Sequence, residues 1–183
     1  SLDKYKVVIT HQRLDFILLA MDQIINGAAK WYYMFGGKDN VSITFRLIVG
    51  RGWGQGPTHS QSLQSLFAHI PGLKVVMPSS AYDAKGLLIS SIFDKNPVIY
   101  IEHRWLHSMT GNVPKKKYEL ELGTPKKILN GKHLTIVSMS YMTVEAINSA
   151  NFLKKYNIHC EIIDLRTVSP IDYKIIFSSI KKT

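Results

Sequence analysis

The 183-residue chain is 45% hydrophobic and 20% charged, a composition typical of globular proteins that argues against intrinsic disorder. This length is enough for one domain and part of a second. The net charge of +10 would suit an anionic partner, but the lysines are scattered or paired, and no zinc-finger or RNA-binding signature accompanies them. We therefore expect solvated basic faces, with neither nucleic acid nor a membrane as a partner.

The cysteine content and the hydropathy of the sequence indicate a reducing compartment. Cys160 is the single cysteine, which excludes an intramolecular disulfide. No stretch of the sequence reaches the length of a membrane span, and the first residues lack a signal-peptide pattern. A cytoplasmic location is the expectation.

Strand-like and helix-like segments alternate through the first 106 residues. The predicted strands are 6–10, 41–49, 73–77 and 97–102, and the predicted helices are 13–35, 62–70 and a third that opens at the capping box of Ser80 and Asp83 and continues through Ile92. Because the strands are mostly apolar, this alternation predicts a parallel sheet covered by helices, which is an α/β fold.

The periodicity fades over 107–130, which we interpret as an interdomain linker. A second α/β pattern follows in 131–183. Its predicted strands are 134–139 and 159–165, and its predicted helices are 143–155 and 171–180. Two strands and two helices are too few for an independent domain, so we expect this second domain to be incomplete at its C-terminal side.

A glycine-rich loop connects the strand 41–49 to the helix 62–70. Four glycines alternate with other residues, and Pro57 and Thr58 then lead to a histidine: Gly50, Gly52, Gly54, Gly56, His59. Glycine permits backbone conformations and close approaches that a Cβ would block, and an imidazole exchanges protons near neutral pH. Two interpretations follow from the loop alone, a ligand-facing site or a surface loop with an incidental histidine.

A set of motifs, in order along nearly the whole chain, gives a resemblance to a known family. They are Met21-Asp22-Gln23-Ile24, His59-Ser60-Gln61, Pro71-Gly72-Leu73-Lys74-Val75-Val76, Asp83-Ala84-Lys85-Gly86, Asp94-Lys95-Asn96-Pro97 and Asp164-Leu165-Arg166-Thr167. In these motifs the chain resembles the β subunit of thiamin-diphosphate-dependent 2-oxo acid dehydrogenases of the pyruvate and branched-chain type. The resemblance implies a transketolase-like pyrimidine-binding domain over 1–106, incomplete at its N-terminal side, and part of a transketolase C-terminal-like domain over 131–183.

The resemblance also implies a cofactor and two site residues. Thiamin diphosphate would be shared with an α-subunit-like chain that holds its diphosphate through magnesium, and this chain has no Gly-Asp-Gly magnesium signature of its own. Phe16 matches the aromatic ring that the family places against the aminopyrimidine, and His59 matches the histidine over the reacting end of the cofactor. Alternatively, Phe16 belongs to the apolar face of its helix, although Ile17 and Leu18 already supply that face.

A structural potassium ion is a further implication of the resemblance. In some family members, backbone carbonyls around a turn like Asp94-Lys95-Asn96-Pro97 coordinate this ion. The matching positions are Ile43, Ser91, Ile92, Asp94 and Asn96. Carbonyl oxygens suit a hard cation, but an ordinary helix-to-strand turn closed by Asn-Pro explains the same residues.

The chain departs from the family pattern in two respects. The glutamate that activates thiamin diphosphate lies, in the family, before the region where this chain begins, and none of Glu102, Glu119, Glu121, Glu145 and Glu161 matches it. We therefore expect a fragment that is inactive alone and that self-associates through uncovered sheet edges. The loop around Arg51 and Trp53 is also poorer in alanine than the usual dehydrogenase version, which puts pyruvate as the substrate in doubt.

The favoured hypothesis is a β-subunit-like part of an enzyme that oxidatively decarboxylates a 2-oxo acid. Its partners would be an α-subunit-like chain and a lipoyl-bearing acyltransferase that receives the acyl group. One alternative is a C–C bond transferase like transketolase or deoxyxylulose-phosphate synthase, to which Gly-Pro-Thr-His is similar. Another is a non-catalytic basic scaffold. The series from the motif at 71–76 to the motif at 164–167 favours the dehydrogenase subunit.

Overall fold

The computed structural model describes residues 1–52 and 54–183, which form two sheets flanked by helices. The strands are β1 Val7–His11, β2 Ile43–Val49, β3 Lys74–Val76, β4 Val98–His103, β5 Lys126–Leu129, β6 Leu134–Ser138, β7 Cys160–Asp164 and β8 Thr167–Ser169. The α-helices are α1 Ala29–Met34, α2 Gln64–Ala68, α3 Ala81–Phe93, α4 Tyr141–Leu153 and α5 Lys174–Ile180. In this part of the chain no helix is long and apolar enough to cross a membrane.

The first sheet has the order β1-β2-β4-β3-β8, and its first four strands are parallel. The central strand β4 is buried on both faces because its side chains alternate between two cores. Ile99 and Ile101 pack with the segment after β1 and with α2, whereas Val98 and Tyr100 pack on the side of α3. The predicted α/β class is confirmed.

The segment predicted as a helix over 13–35 is helical over 14–34, but it is not a regular α-helix. The chain instead forms a 3-10 helix over Leu14–Ala20, a π-helix over Gln23–Ala28 and only then α1. Within this segment Leu14 and Ile17 are buried three residues apart, and Ile24 and Ala29 are buried five apart. A spacing of three occurs on one face of either an α-helix or a 3-10 helix, whereas a spacing of five matches the hydrogen-bond period of a π-helix.

Two short strands were missed by sequence reasoning, and both lie near the junction of the two sheets. β5 lies inside the predicted linker 107–130 and pairs antiparallel with β7, in a second sheet of order β5-β7-β6. β8 follows β7 in the chain but pairs antiparallel with β3 in the first sheet, which makes the first sheet mixed. Leu120 and Leu122 of the predicted linker also pack against the α3 side of the first core. The segment is therefore a packed part of the structure.

A buried network around Arg166 joins two units of the structure. The first unit contains the sheet with β1 to β4, and the second contains the sheet β5-β7-β6 with α4 and α5. Its Nη1 donates to Asp83 Oδ1 at 3.2 Å, and its Nε and Nη2 donate to the carbonyl of Thr124 at 3.1 and 2.5 Å. The backbone N–H of Arg166 donates to Asp164 Oδ1 at 3.2 Å, and Ser79 donates its hydroxyl to the other oxygen of the same carboxylate. All of these groups are buried except the partly buried Thr124, so the ion pair is shielded from water.

Arg166→Met should lower the free energy of unfolding by about 3 kcal/mol, because it leaves the Asp83 carboxylate buried without its cation. Urea unfolding measures the loss. The matched control is Glu119→Gln, which breaks the exposed Lys117–Glu119 pair at 3.0 Å and should cost less than about 1 kcal/mol. Equal effects of the two substitutions would contradict the assigned role of Arg166.

Asp164 should make stability pH-dependent. Burial raises the pKa of this carboxyl from 3.8 to about 6, so the folded protein binds the proton more tightly than the unfolded chain does. The contribution of Asp164 is therefore fully present below pH 4 and is lost as the pH rises through about 6. Relative to Asp164→Asn, the wild type should lose on the order of 2 kcal/mol between pH 4 and pH 7 in urea unfolding. A difference that stays constant across this range would show that the carboxyl does not titrate there.

Candidate active site

His59 lies at the carboxyl-end edge of the first sheet, beyond the end of β2. It ends a short 3-10 helix, Pro57–His59, and its side chain is half-buried. Its Nδ1 is 2.9 Å from the carbonyl oxygen of Thr58. Because a carbonyl only accepts, Nδ1 carries the proton in this contact, and Nε2 of the neutral ring keeps a lone pair. The imidazole is thereby arranged to accept a proton at Nε2.

Phe16 meets His59 although the two residues are 43 positions apart. Their ring centroids are 5.1 Å apart at an interplanar angle of 56°. Leu14 and Ile17 of the same 3-10 helix are fully buried, whereas the Phe16 side chain is 43% exposed. The backbone therefore anchors on two neighbours and presents the Phe16 ring at the surface, beside His59. Leu18, expected on the buried face, is 40% exposed.

Asp15 fixes the loop that carries His59, a contact that sequence reasoning missed. Its Oδ1 accepts from Gln61 Nε2 at 2.8 Å and from the Gln61 backbone N–H at 3.4 Å. Since Asp15 precedes Phe16 and Gln61 follows His59 by two residues, this pair holds the two aromatic residues in contact. The His59-Ser60-Gln61 motif contained one partner, but nothing in the local sequence identified the other.

The glycine loop has the conformation that the sequence pattern indicates. All four glycines take positive φ, with values of 121° at Gly50, 125° at Gly52, 63° at Gly54 and 71° at Gly56. A Cβ on Gly50 would lie only 3.1 Å from the imidazole of His103. Glycine is required there by both torsion and space. Trp53, in the part of the loop that departs from the family pattern, lies outside the described residues.

His103, Trp105 and Tyr141 form an aromatic cluster next to Gly50, and Tyr141 belongs to α4 of the second unit. His103 stacks on Tyr141 of α4 with centroids 5.0 Å apart, and Trp105 meets Tyr141 edge-on at 4.9 Å. Burial first, and then His107, lower the pKa of His103, which is therefore neutral at pH 7. A cavity of about 410 Å³ adjoins this cluster and is lined by Gly50, Arg51, Ser60, Ser62, His103, Trp105, Tyr141, Met142 and Glu145. Sequence reasoning assigned no role to His103.

The predicted potassium positions come together at the turn before β4. The carbonyl of Ser91 accepts from Thr44 Oγ1 at 3.0 Å, and the carbonyl of Asp94 accepts from the Ser42 hydroxyl. The Lys6 ammonium lies 3.5 Å from the same Asp94 carbonyl. Each of these two carbonyls thus already accepts at least one hydrogen bond from the protein and has a second lone pair available. The roles of Ile43, Ser91, Ile92, Asp94 and Asn96 as potassium ligands stay a prediction.

The Asp94 side chain closes this turn from within. Its Oδ1 accepts from the Asn96 backbone N–H at 2.8 Å and from the Asn96 amide at 3.0 Å, and its Oδ2 pairs with Lys74 at 2.6 Å. Across the described ranges no group of three histidine, cysteine or acidic side chains is arranged to hold a metal ion.

Asp15→Ala should loosen the segment 57–61, because Gln61 loses both hydrogen bonds to a charged acceptor. Amide hydrogen exchange in this segment should become roughly 10-fold faster, the effect of losing about 1.5 kcal/mol. Asp22→Ala is the matched control, since Asp22 is exposed on the same helical segment and accepts only from its neighbour Asn26 at 2.8 Å among the contacts described. Unchanged exchange at 57–61 in Asp15→Ala would contradict the assignment.

Comparison with known proteins matches both parts of the chain to one family. Residues 1–108 match the model "Transketolase, pyrimidine binding domain", and residues 123–183 match "Transketolase, C-terminal domain". Among solved structures, a split-gene transketolase described as an inactive tetramer of four beta chains superposes with a TM-score of 0.78 at 21% identity. The match covers 96% of this chain and 54% of that chain. At this identity the superposition shows the fold alone.

Curated relatives match at higher identity. The β subunit of acetoin:2,6-dichlorophenolindophenol oxidoreductase from Cupriavidus necator is 45% identical over 93% of this chain and 50% of the relative. The β subunit of the pyruvate dehydrogenase E1 component from Bacillus subtilis is 39% identical over 100% of this chain and 57% of the relative. The mitochondrial 2-oxoisovalerate dehydrogenase β subunit from Dictyostelium discoideum is 43% identical over 94% and 47%. The chain spans about half the length of these relatives.

Proposed function

The chain belongs to the transketolase family, and from this membership we propose that it is part of the β component of a thiamin-diphosphate-dependent 2-oxo acid dehydrogenase. The assembly would decarboxylate its substrate oxidatively and pass the acyl group to a lipoyl-bearing acyltransferase. The names of the relatives at 39–45% identity support a dehydrogenase or oxidoreductase, whereas the transketolase structures match at only 17–21% identity.

The contact between Phe16 and His59 is the observation that carries this proposal. The half-exposed Phe16 ring offers a flat apolar surface of the kind on which an aromatic heterocycle stacks, so this residue fits the aminopyrimidine of thiamin diphosphate. When bound, the cofactor would supply the carbanion chemistry that removes carbon dioxide from a 2-oxo acid. We assign the diphosphate and its magnesium to an α-subunit-like partner, because this sequence has no Gly-Asp-Gly magnesium signature.

His59 would transfer protons and orient the reacting group beside the Phe16 ring. Its Nδ1 is engaged by the Thr58 carbonyl, which fixes the tautomer and directs proton exchange to Nε2. The Asp15–Gln61 pair limits movement of the loop, so the imidazole stays beside the Phe16 ring. A positioned imidazole of this kind serves as a general acid or base for the acyl group.

His59→Ala tests this role in the complete protein assembled with its α-subunit-like partner. The variant should keep its fold and most of its cofactor affinity, because the diphosphate anchor lies on the partner. Turnover of the 2-oxo acid should drop by roughly 100-fold, the usual scale for losing a positioned acid or base.

His69→Ala is the matched control in the same assembly. His69 is exposed at the end of α2, so its removal should leave turnover within about 2-fold of wild type. Steady-state kinetics decide between the two histidines. Wild-type turnover in His59→Ala would mean that the imidazole is not part of the reaction.

A further inference from the structure

Arg13 is a buried cation whose terminal nitrogens have no hydrogen-bond partner among the described residues. The residue lies between β1 and the 3-10 helix that carries Phe16, and it is only 5% exposed. Its Nη1 and Nη2 are out of contact with water and make no hydrogen bond within residues 1–52 and 54–183. A guanidinium stays charged at all ordinary pH values, and burying it without a counterion is costly. Something outside the described residues is therefore expected to neutralise it.

A second guanidinium lies near enough to the first to interact with it electrostatically. Arg104 directly follows β4, and its pKa is lowered by burial first and then by the positive charge of Arg13, so the two groups repel each other. The nearest carboxylates in the sequence are already engaged. Asp15 accepts from Gln61, and Glu102 pairs with Arg46 at 2.7 Å. Neither carboxylate is therefore described as a counterion of Arg13.

The position of this pair in the sheet indicates what the anion belongs to. β1, β2 and β4 are adjacent and parallel, so Arg13, the glycine loop and Arg104 all follow carboxyl ends of strands on one edge. Ligands of open parallel sheets bind outside this edge. Arg13 also lies three residues before Phe16, on the segment that presents the Phe16 ring to His59. The buried cation and the candidate reaction site share one short segment.

We propose that Arg13 binds an anionic group of the substrate, a carboxylate or phosphate carried beyond the reacting carbonyl, and that the positive charge of Arg104 adds to the attraction. The substrate is then a dicarboxylic or phosphorylated 2-oxo acid, an inference that rests on the proposed function. A guanidinium binds either oxyanion through two parallel hydrogen bonds, and shielding from water strengthens the attraction. An aliphatic 2-oxo acid of the same length would leave the buried charge without a counterion.

Anion binding is tested first on the chain itself, by thermal unfolding at constant ionic strength. Succinate and phosphate, each replacing sodium chloride, are the probes for the two oxyanions. At concentrations about 100-fold above Kd the wild-type Tm should rise by roughly 5 °C with at least one of them, and the larger rise identifies the preferred group. Arg13→Met should abolish the rise and should not lower the Tm in chloride, because it removes a charge without a counterion.

Two further variants make this result specific. Lys38→Met removes one exposed positive charge before β2, at the opposite edge of the sheet, and should respond like wild type. Arg13→Lys keeps the charge but loses the planar fork, so it should retain a smaller response. It also replaces Arg13→Met if the latter fails to fold. An Arg13→Met response equal to that of wild type overturns the proposal. The proposal is also overturned if the wild-type Tm changes with neither anion and rises only when a partner protein is added.

The substrate class is tested with the assembled enzyme, using 2-oxopentanedioate and 2-oxopentanoate, which differ by one carboxylate. If a carboxylate is preferred, wild type should favour the diacid in kcat/KM. Arg13→Met should lower kcat/KM for the diacid by about 30- to 100-fold and change the value for the monoacid less than about 3-fold. Equal losses on both substrates overturn the specificity role. If wild type turns over neither compound nor a phosphorylated 2-oxo acid, the proposed function fails, whereas the thermal measurement still decides whether Arg13 binds anions.

Discussion

The buried guanidinium of Arg166 is the contact on which the arrangement of the two units depends. It is held between the Asp83 carboxylate at the start of α3 and the Thr124 carbonyl just before β5, while its backbone N–H reaches Asp164 at the end of β7. The chain then continues directly into β8, which pairs with β3 of the first sheet. Arg166 thus connects the start of α3, the start of β5 and the end of β7, and it directly precedes β8. The stacking of His103 on Tyr141 is a second contact between the two units.

The candidate site forms where this framework leaves side chains at the carboxyl ends of parallel strands. Burial of Leu14 and Ile17 decides which way the segment after β1 faces, and it leaves the Phe16 ring half-exposed. Positive φ angles at the four glycines bring the chain back toward that ring, and the Asp15–Gln61 hydrogen bond fixes the approach. Among the described residues, the same folding leaves the terminal nitrogens of Arg13 buried without a hydrogen-bond partner, and this is the charge that the proposed anion would neutralise.

Local sequence patterns were sufficient for some of these features and insufficient for others. The glycine loop and His59 could be predicted because torsional requirements and the family motif lie within ten residues. The 3-10 and π hydrogen bonding within 13–35 could not, because apolar residues three positions apart fit an α-helix and a 3-10 helix equally well. β8 has only three residues, and its pairing with Val75 and Val76 lies about 90 positions away. Likewise, the missing partner of Arg13 is visible only when the folded surroundings are known.

The central claim is that this chain supplies the aminopyrimidine side of a thiamin diphosphate site and depends on a second chain for the diphosphate. Isothermal titration calorimetry of thiamin diphosphate with magnesium tests it most directly, on this chain alone, on the α-subunit-like chain alone and on their mixture. The account predicts that the affinity of the mixture is at least about 10-fold higher than that of either chain and that this gain is reduced in Phe16→Ala. Tight binding to this chain alone, or a mixture no tighter than the partner, would contradict it.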